Sequence, residues 1–471
     1  MKLPGSTIAE LKKLLVNRSI SSAELTMSYL QKINDANDSI NAYITVTDEY
    51  AKKEAEKADT YLNNKKDLPL LGIPVAIKDN FCTAGMPTTA GSKLLADYIP
   101  PYSATVWNKL KEAGAILVGK TNLDAWAHGS STENSDYGAT KNPWDTTKLP
   151  GGSSGGSCAA VAADTTVFAL GTETAGSIRQ PASWCGVVGL KPTYGRTSRY
   201  GIIAMASSLD TPGPITKTVT DAAMVLQVIA SNDPYNATTS KREVPDYTKI
   251  LGKGIRDLKI GFAQDYFDGI DRNVASIVKA ALKKLEELGA KIVEIQLLDP
   301  EYSVDVYTIV QRAEVSSNLG RYDGIRYGYG RHQFGQEAKR RIMLGTYSLS
   351  AGHYGEVFVK AEKVRTLIIK DFERAFKDVD VIACPTAPTV ALPIGSSIDQ
   401  AMFGEMADRL VEPSSIAGLP GISVPCGFSD NLPVGIQFIG PQFREDLILQ
   451  VAYAYEQATE WHKRKPNLNY E

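Results

Sequence analysis

Histidine is scarce in this chain, four in 471 residues, and none falls inside either of the serine-bearing runs considered below. Cysteine is sparse too. Cys82, Cys158, Cys185, Cys384 and Cys426 show no CxxC or Cys/His ligand spacing, which argues against a zinc site or a redox dithiol, and their odd number leaves at least one unpaired. A reducing cytoplasm is the expected setting. No apolar run reaches the roughly 18 residues that a membrane span requires, and Met1 to Ser6 carry no apolar leader core, so secretion and membrane insertion are not expected. Charge of one sign is also missing: 51 Lys plus Arg stand against 53 Asp plus Glu, a net of −2. Nothing global attracts a nucleic acid, and any such partner needs a local patch or another subunit.

What remains is an ordinary globular composition, 43% hydrophobic and 22% charged, in a chain long enough for a large core. Two capping boxes open it: Thr7 with Glu10 ahead of Leu11, Leu14 and Leu15, and Ser21 with Glu24 ahead of Leu25, Tyr29 and Ile33. They predict a helical preface over residues 1–65, packed on a continuous domain over 66–471. From Leu68 to Ile77 an apolar run reads as a strand. A helix ending at Gly114 then leads into the strand-like Ala115-Ile-Leu-Val118, and the same order recurs where Ile277, Ala281, Leu285 and Leu288 precede Gly289 and Lys291-Ile-Val-Glu-Ile295. This alternation predicts an α/β fold with a parallel or mixed sheet. Residues 231–257, rich in Asn, Asp, Lys, Thr and Pro, predict a long surface excursion.

Two runs carry the chemistry: Pro150-Gly-Gly-Ser-Ser-Gly-Gly-Ser157 and Thr174-Ala-Gly-Ser-Ile-Arg-Gln-Pro181. The first contains the GxSxG pattern of a nucleophile elbow centred on Ser154, but that mechanism needs a histidine later in the chain. His332, His353 and His462 lie in undistinguished contexts. A flexible linker is the bland alternative; the small apolar residues from Ser157 to Ala163 instead place the glycines at the start of a buried helix, whose free N–H groups favour negative charge. A separate run, Gly114 to Thr121, satisfies GxxxxGK[ST] letter for letter. Its four intervening residues are apolar strand formers preceded by a helix, the reverse of the phosphate-loop context.

Lysine is the third option for a base. Lys78 closes the apolar run Pro74-Val-Ala-Ile77 and precedes Asp79-Asn80. Burial there lowers a lysine pKa and yields a neutral amine able to accept a proton. From position alone, pairing with Asp79 or extension to water is the better explanation, and spacing alone does not join Lys78 to Ser177.

Gly72-Ile-Pro-Val-Ala-Ile-Lys78-Asp-Asn80, the two serine runs, and Cys185-Gly-Val-Val-Gly-Leu-Lys-Pro-Thr193 together resemble the amidase signature family, in the family's order and over nearly the whole chain. The resemblance implies a single α/β domain with a mixed central sheet flanked by helices. It also implies Ser177 as nucleophile, Lys78 as ultimate base, and Ser153 as the relay between them on a cis peptide. Thr174, Ala175 and Gly176 would form the oxyanion hole. Ala175 departs from the commoner glycine, so an ordinary φ is expected there.

Further stretches, Ser130-Ser-Thr-Glu-Asn-Ser135, Lys191 to Arg196 with Ser198 to Gly201, Asn318 with Arg321 to Gly328, and Lys339-Arg-Arg-Ile-Met-Leu-Gly-Thr346, resemble the glutaminase subunits of tRNA-dependent amidotransferases within that family. That likeness implies glutamine as substrate, with Arg341 at its carboxylate and Asp408 and Tyr307 near its amino end. It implies no tightly bound cofactor or metal in this chain, with a B subunit using ATP and Mg²⁺ on Glu-tRNA(Gln) or Asp-tRNA(Asn), and a small C subunit completing a heterotrimer. Ala125 stands where such subunits carry glutamate. The alternatives are a stand-alone amidase, which would keep Lys78, Ser153 and Ser177 with no use for Arg341 or Asp408, and a non-catalytic scaffold.

Overall fold

The computed structural model describes residues 5–468 apart from 327, 399 and 401; the start of the expected leader-free segment, and Tyr327 within the Arg321 to Gly328 stretch, lie outside the described residues. Eleven strands are described: β1 (Tyr43–Val46), β2 (Pro74–Lys78), β3 (Ile116–Thr121), β4 (Phe168–Glu173), β5 (Val188–Lys191), β6 (Thr211–Thr216), β7 (Lys259–Phe262), β8 (Lys291–Glu294), β9 (Val381–Pro385), β10 (Gly421–Ser429) and β11 (Leu432–Ile439). All join one sheet in the order β1-β3-β2-β4-β6-β5-β10-β11-β9-β7-β8. Pairing is parallel for β3-β2-β4 and for β9-β7-β8, and antiparallel elsewhere. The sheet is therefore mixed, and the fold is α/β. Its strands β2, β3, β4, β5, β6 and β9 are buried along their whole length, which is why Pro74-Val-Ala-Ile77 and Ile116-Leu-Val118 read as continuous apolar runs rather than alternating ones.

Both capping boxes form. Thr7 and Glu10 cap the helix Ile8–Val16, and Ser21 and Glu24 cap Ser22–Ile40; Ile8, Leu11 and Leu15 then pack into the main core with Ile73, Val75 and Ile77 of the β2 segment. The helix Arg272–Glu287 stops just short of Gly289, whose φ of 95° turns the chain into β8. The 68–77 run is strand only from Pro74; residues before it form turns, because Leu70 and Gly72 donate to the Ala113 and Gly114 carbonyls of the neighbouring helix terminus rather than extending a ladder. Residues 231–257 carry no helix or strand, although Tyr247 within them is buried. All five cysteines are buried free thiols. No helix among the described residues is long and apolar enough to cross a membrane.

The phosphate-loop pattern is resolved by β3. Residues 116–121 are buried strand, and Lys120 Nζ makes a fully buried ion pair with Asp79 Oδ1 at 2.7 Å. A cradle of free N–H groups is not what this segment offers.

The parallel strands β2, β3 and β4 all end on one edge of the sheet, and the chain leaves them into segments starting at Asp79, Asn122 and Thr174. The crevice beyond carboxyl ends of parallel strands is where α/β sheets collect functional groups.

Candidate active site

Lys78 is the last residue of β2 and is completely buried. Asp79, the partner that would have made it a structural lysine, is engaged by Lys120, Thr89 N and Thr89 Oγ1 instead. Lys78 Nζ faces four oxygens: Ser153 Oγ at 2.7 Å, Ser154 Oγ at 3.0 Å, Thr172 Oγ1 at 3.0 Å and the Thr172 carbonyl at 3.3 Å. None of these neighbours is charged. Burial pulls its pKa down to about 7, against the opposing pull of the Asp124 and Asp210 carboxylates. Half of the amine is then neutral near pH 7.

Glycines bring the first serine run into contact with this lysine. Gly151 has a φ of 83°, and a Cβ on Gly152 would stand 2.2 Å from Asp124 Oδ2, so neither position admits a side chain without displacement. The Gly152–Ser153 peptide is cis. The helix Gly155–Ala162 follows and is buried except at its last residue, as expected for a helix N-terminus rather than a linker. Ser154, to which the family resemblance gives no role, also touches the lysine. Its hydroxyl accepts from Lys78 and donates to the Thr172 carbonyl at 3.2 Å, and no histidine approaches it, which disposes of the elbow reading.

The second run connects β4 to the helix Arg179–Cys185. Glu173 fixes it: one carboxylate oxygen accepts from Ile178 N and Arg179 N, each at 3.0 Å, and the other accepts from Arg179 Nε at 2.9 Å and Nη2 at 2.6 Å. The same guanidinium donates to Ser414 Oγ, Ser415 Oγ and Gln437 Oε1. With Glu173 occupying the helix N-terminus, the N–H groups expected to form the oxyanion hole, those of Thr174, Ala175 and Gly176, donate to no protein acceptor among the described residues, and neither does that of Ser177. They form a short row of free donors, the arrangement an oxyanion requires. Ala175 has an ordinary negative φ. Thr174 is held by its hydroxyl on Asp210 Oδ1 at 2.9 Å.

Ser177 is tied to the first run through its backbone, its carbonyl accepting from Ser154 N at 3.1 Å. Its hydroxyl has no hydrogen-bond partner among the described residues, so the structure brings Lys78 and Ser153 into contact but contains no Ser153–Ser177 hydrogen bond.

Asp408 lies beside the second run, and Tyr307 lies within the field of both Asp408 and Arg341. A Cβ on Gly176 would lie 2.4 Å from Asp408 Oδ1, which places that carboxyl directly against the serine loop. Asp408 Oδ2 accepts from Ser130 Oγ at 2.6 Å, while Oδ1 is buried without a partner. Burial, opposed by the Ser130 hydrogen bond, pushes its pKa well above the carboxylate range. Arg341 is 3% exposed, not part of a solvated helix face. Its Nε donates to Glu337 at 2.6 Å and its Nη2 lies 3.8 Å from Glu405, while Nη1 is buried and unpartnered. Burial works against its charge, but Glu405 and Glu337 hold it more firmly protonated than usual. Tyr307, on the neighbouring helix Glu301–Leu319, is buried within the field of Arg341, Glu412 and Asp408.

The sequence reading missed Thr172 and Glu173, which brace Lys78 and the serine loop. A signal was available, since both are polar residues closing an apolar strand, as Lys78 does. No group of three or more His, Cys, Asp or Glu among the described residues is placed to hold a metal ion.

The Amidase family model matches residues 24–449. The A subunit of glutamyl-tRNA(Gln) amidotransferase from Thermoanaerobacter pseudethanolicus is 52% identical over 480 residues, spanning 98% of each chain. The solved structure of the A subunit of glutamyl-tRNA(Gln) amidotransferase from Thermotoga maritima is 42% identical with a TM-score of 0.83, covering 97% of this chain and 95% of that one. Peptide amidase from Stenotrophomonas maltophilia is 32% identical with a TM-score of 0.85 and 99% coverage of both chains.

Proposed function

The chain belongs to the amidase family, and from that premise we propose that it is the glutaminase subunit of a tRNA-dependent amidotransferase, cleaving the side-chain amide of glutamine to release ammonia. The observation that carries the chemistry is the buried Lys78 amine, 2.7 Å from Ser153 Oγ and surrounded by uncharged oxygens. A neutral amine has two N–H groups and one lone pair. With one N–H on Ser154 Oγ and the other on Thr172 Oγ1, each at 3.0 Å, the lone pair faces the Ser153 hydroxyl, which then donates to it.

Ser177 Oγ attacks the amide carbon as its proton passes to Ser153 and the Ser153 proton passes to Lys78. The Ser153–Ser177 contact closes in the substrate complex, as catalytic hydrogen bonds commonly do. The new C–O bond makes a tetrahedral oxyanion, received by N–H groups from the free row at residues 174–177; each such donor contributes on the order of 3 kcal/mol. Collapse breaks the C–N bond, and the proton held at Lys78 returns through Ser153 to the departing nitrogen as ammonia forms. Water then attacks the γ-glutamyl ester, losing its proton along the same route, and glutamate leaves with Ser177 restored.

The choice of glutamine is supported by two unpartnered atoms. Arg341 Nη1 suits an α-carboxylate, and Asp408 Oδ1 suits an α-ammonium. Entry of the ammonium also favours ionised Asp408, offsetting the burial that disfavours it. The Thermoanaerobacter relative, 52% identical, belongs to an amidotransferase, and by that likeness the ammonia passes to a B subunit that activates Glu-tRNA(Gln) with ATP and Mg²⁺, with a C subunit completing the heterotrimer. The near-zero net charge agrees with the tRNA being held mainly by the partner.

Arg341→Ala separates this from a free-standing amidase. Loss of one buried charged hydrogen bond predicts a drop of roughly ten- to a hundredfold in kcat/KM for glutamine, read by glutamate release. Unchanged glutamine turnover favours the free amidase.

A further inference from the structure

Next to Asp408, a cavity of about 330 Å³ is lined by His128, Ser130, Glu133, Glu337, Arg341 and Glu405, among others. Its acidic side chains are engaged. Both Glu133 oxygens accept from the 395–397 segment, through Gly395 N and Ser397 Oγ. Both Glu337 oxygens bind Arg340, and one of them also binds Arg341. Glu405 holds Arg312 at 2.8 Å. Three buried polar groups in the lining have no protein partner among the described residues: Arg341 Nη1, the indole N–H of Trp126, and the ring of His128, which is wholly buried with neither nitrogen bonded to protein. A buried imidazole without a partner on either side is uncommon and calls for a reason.

We propose that His128 is a specificity-determining residue, donating a ring N–H to the substrate's α-carboxylate while Arg341 Nη1 holds the other carboxylate oxygen. The inference rests on the glutaminase reading above and adds to it a second donor at the acidic end of the substrate. Unengaged donors in a cavity whose own carboxylates are already satisfied select an anionic group, and of these the Arg341 guanidinium carries the charge. Burial, reinforced by the Arg341 charge, holds the His128 pKa well below its usual range, so the ring is neutral and offers one N–H and one acceptor nitrogen. A neutral donor avoids like-charge repulsion with Arg341 in the absence of substrate.

His128→Met removes both ring nitrogens while keeping an apolar side chain of similar reach, and His128→Gln restores a donor. The full chain, purified with whatever subunits accompany it from its host, is assayed on glutamine and on the decarboxylated analogue of glutamine. For His128→Met the expected result is a rise of about tenfold in KM for glutamine, kcat changed less than about twofold, no change in KM for the analogue, and substantial recovery in His128→Gln. Equal effects on both substrates, no effect on either, or no recovery with glutamine would overturn the role of His128. Wild-type enzyme that cleaves the analogue but not glutamine would instead refute the glutaminase reading itself, and the His128 assignment with it.

Discussion

Replacing Lys78 by methionine tests whether the lysine works as a neutral base, because the same property that makes it useful makes the folded protein less stable. In the folded chain, burial draws its pKa from 10.5 down to about 7. Between those two values the unfolded chain binds a proton that the folded chain does not, so the stability of the wild type rises with pH. Below about pH 7 both states are protonated and the full penalty of burying the charge is present; above about pH 10.5 both are neutral and it is gone. The slope inside the window is about 1.4 kcal/mol per pH unit. Over the whole window it amounts to about 5 kcal/mol, an upper figure for a group still hydrogen-bonded to Ser153, Ser154 and Thr172. Chemical denaturation of wild type and Lys78→Met at matched pH gives the difference directly. The wild type should gain on the variant as pH rises from 7 toward 10, while the variant stays inactive throughout. In parallel, wild-type kcat/KM should rise with the neutral fraction, from about a tenth one unit below the pKa to about nine-tenths one unit above it. A stability difference independent of pH across that window would refute the neutral-lysine reasoning, as would activity that falls on raising the pH through 7.

Other outcomes follow from the loops around the serines. Glu173→Gln leaves the Arg179 guanidinium buried without its counter-charge, which predicts a loss of about 3–5 kcal/mol measured by denaturant titration. A loss under about 1 kcal/mol would show that the pair does not hold the loop. Gly176→Ala places a methyl group against Asp408 Oδ1 and Val411 Cγ2, each 2.4 Å away; a cost of about 1–3 kcal/mol and a raised KM for glutamine are expected. Unchanged steady-state kinetics in that variant would remove Asp408 from the substrate site.

Much of the fold was legible because it is local. The two capping boxes, the glycine that ends the helix before β8, and the apolar runs of β2 and β3 each act within a few residues. The GxxxxGK[ST] decoy was rejected for the same reason, since strand formers between its glycines forecast buried β3. Ion pairing was harder to read. Asp79 adjoins Lys78 in sequence, but successive residues at a strand end point to opposite sides, and Asp79 pairs with Lys120 on the neighbouring strand. Freed from that partner, Lys78 is left to the serines. Arg341 sits in a Lys-Arg-Arg cluster, a composition usual for a solvated helix face, with Glu337 four residues before it. Glu405, and the packing of this helix on Glu301–Leu319, become apparent only in three dimensions. Ser154 was hardest, because nothing in a Gly-Gly-Ser-Ser-Gly-Gly run distinguishes the two hydroxyls until β4 supplies the Thr172 oxygens.

The central claim, that Ser177 is the nucleophile and the Ser153 and Ser154 hydroxyls are not, is tested most directly by acid-quenching the enzyme during glutamine turnover and locating the covalent adduct by peptide mass spectrometry. A γ-glutamyl ester on Ser177, absent from Ser177→Ala and undetectable in Lys78→Met, is the predicted result. An adduct on Ser153 or Ser154, or one that persists in Ser177→Ala, would contradict it.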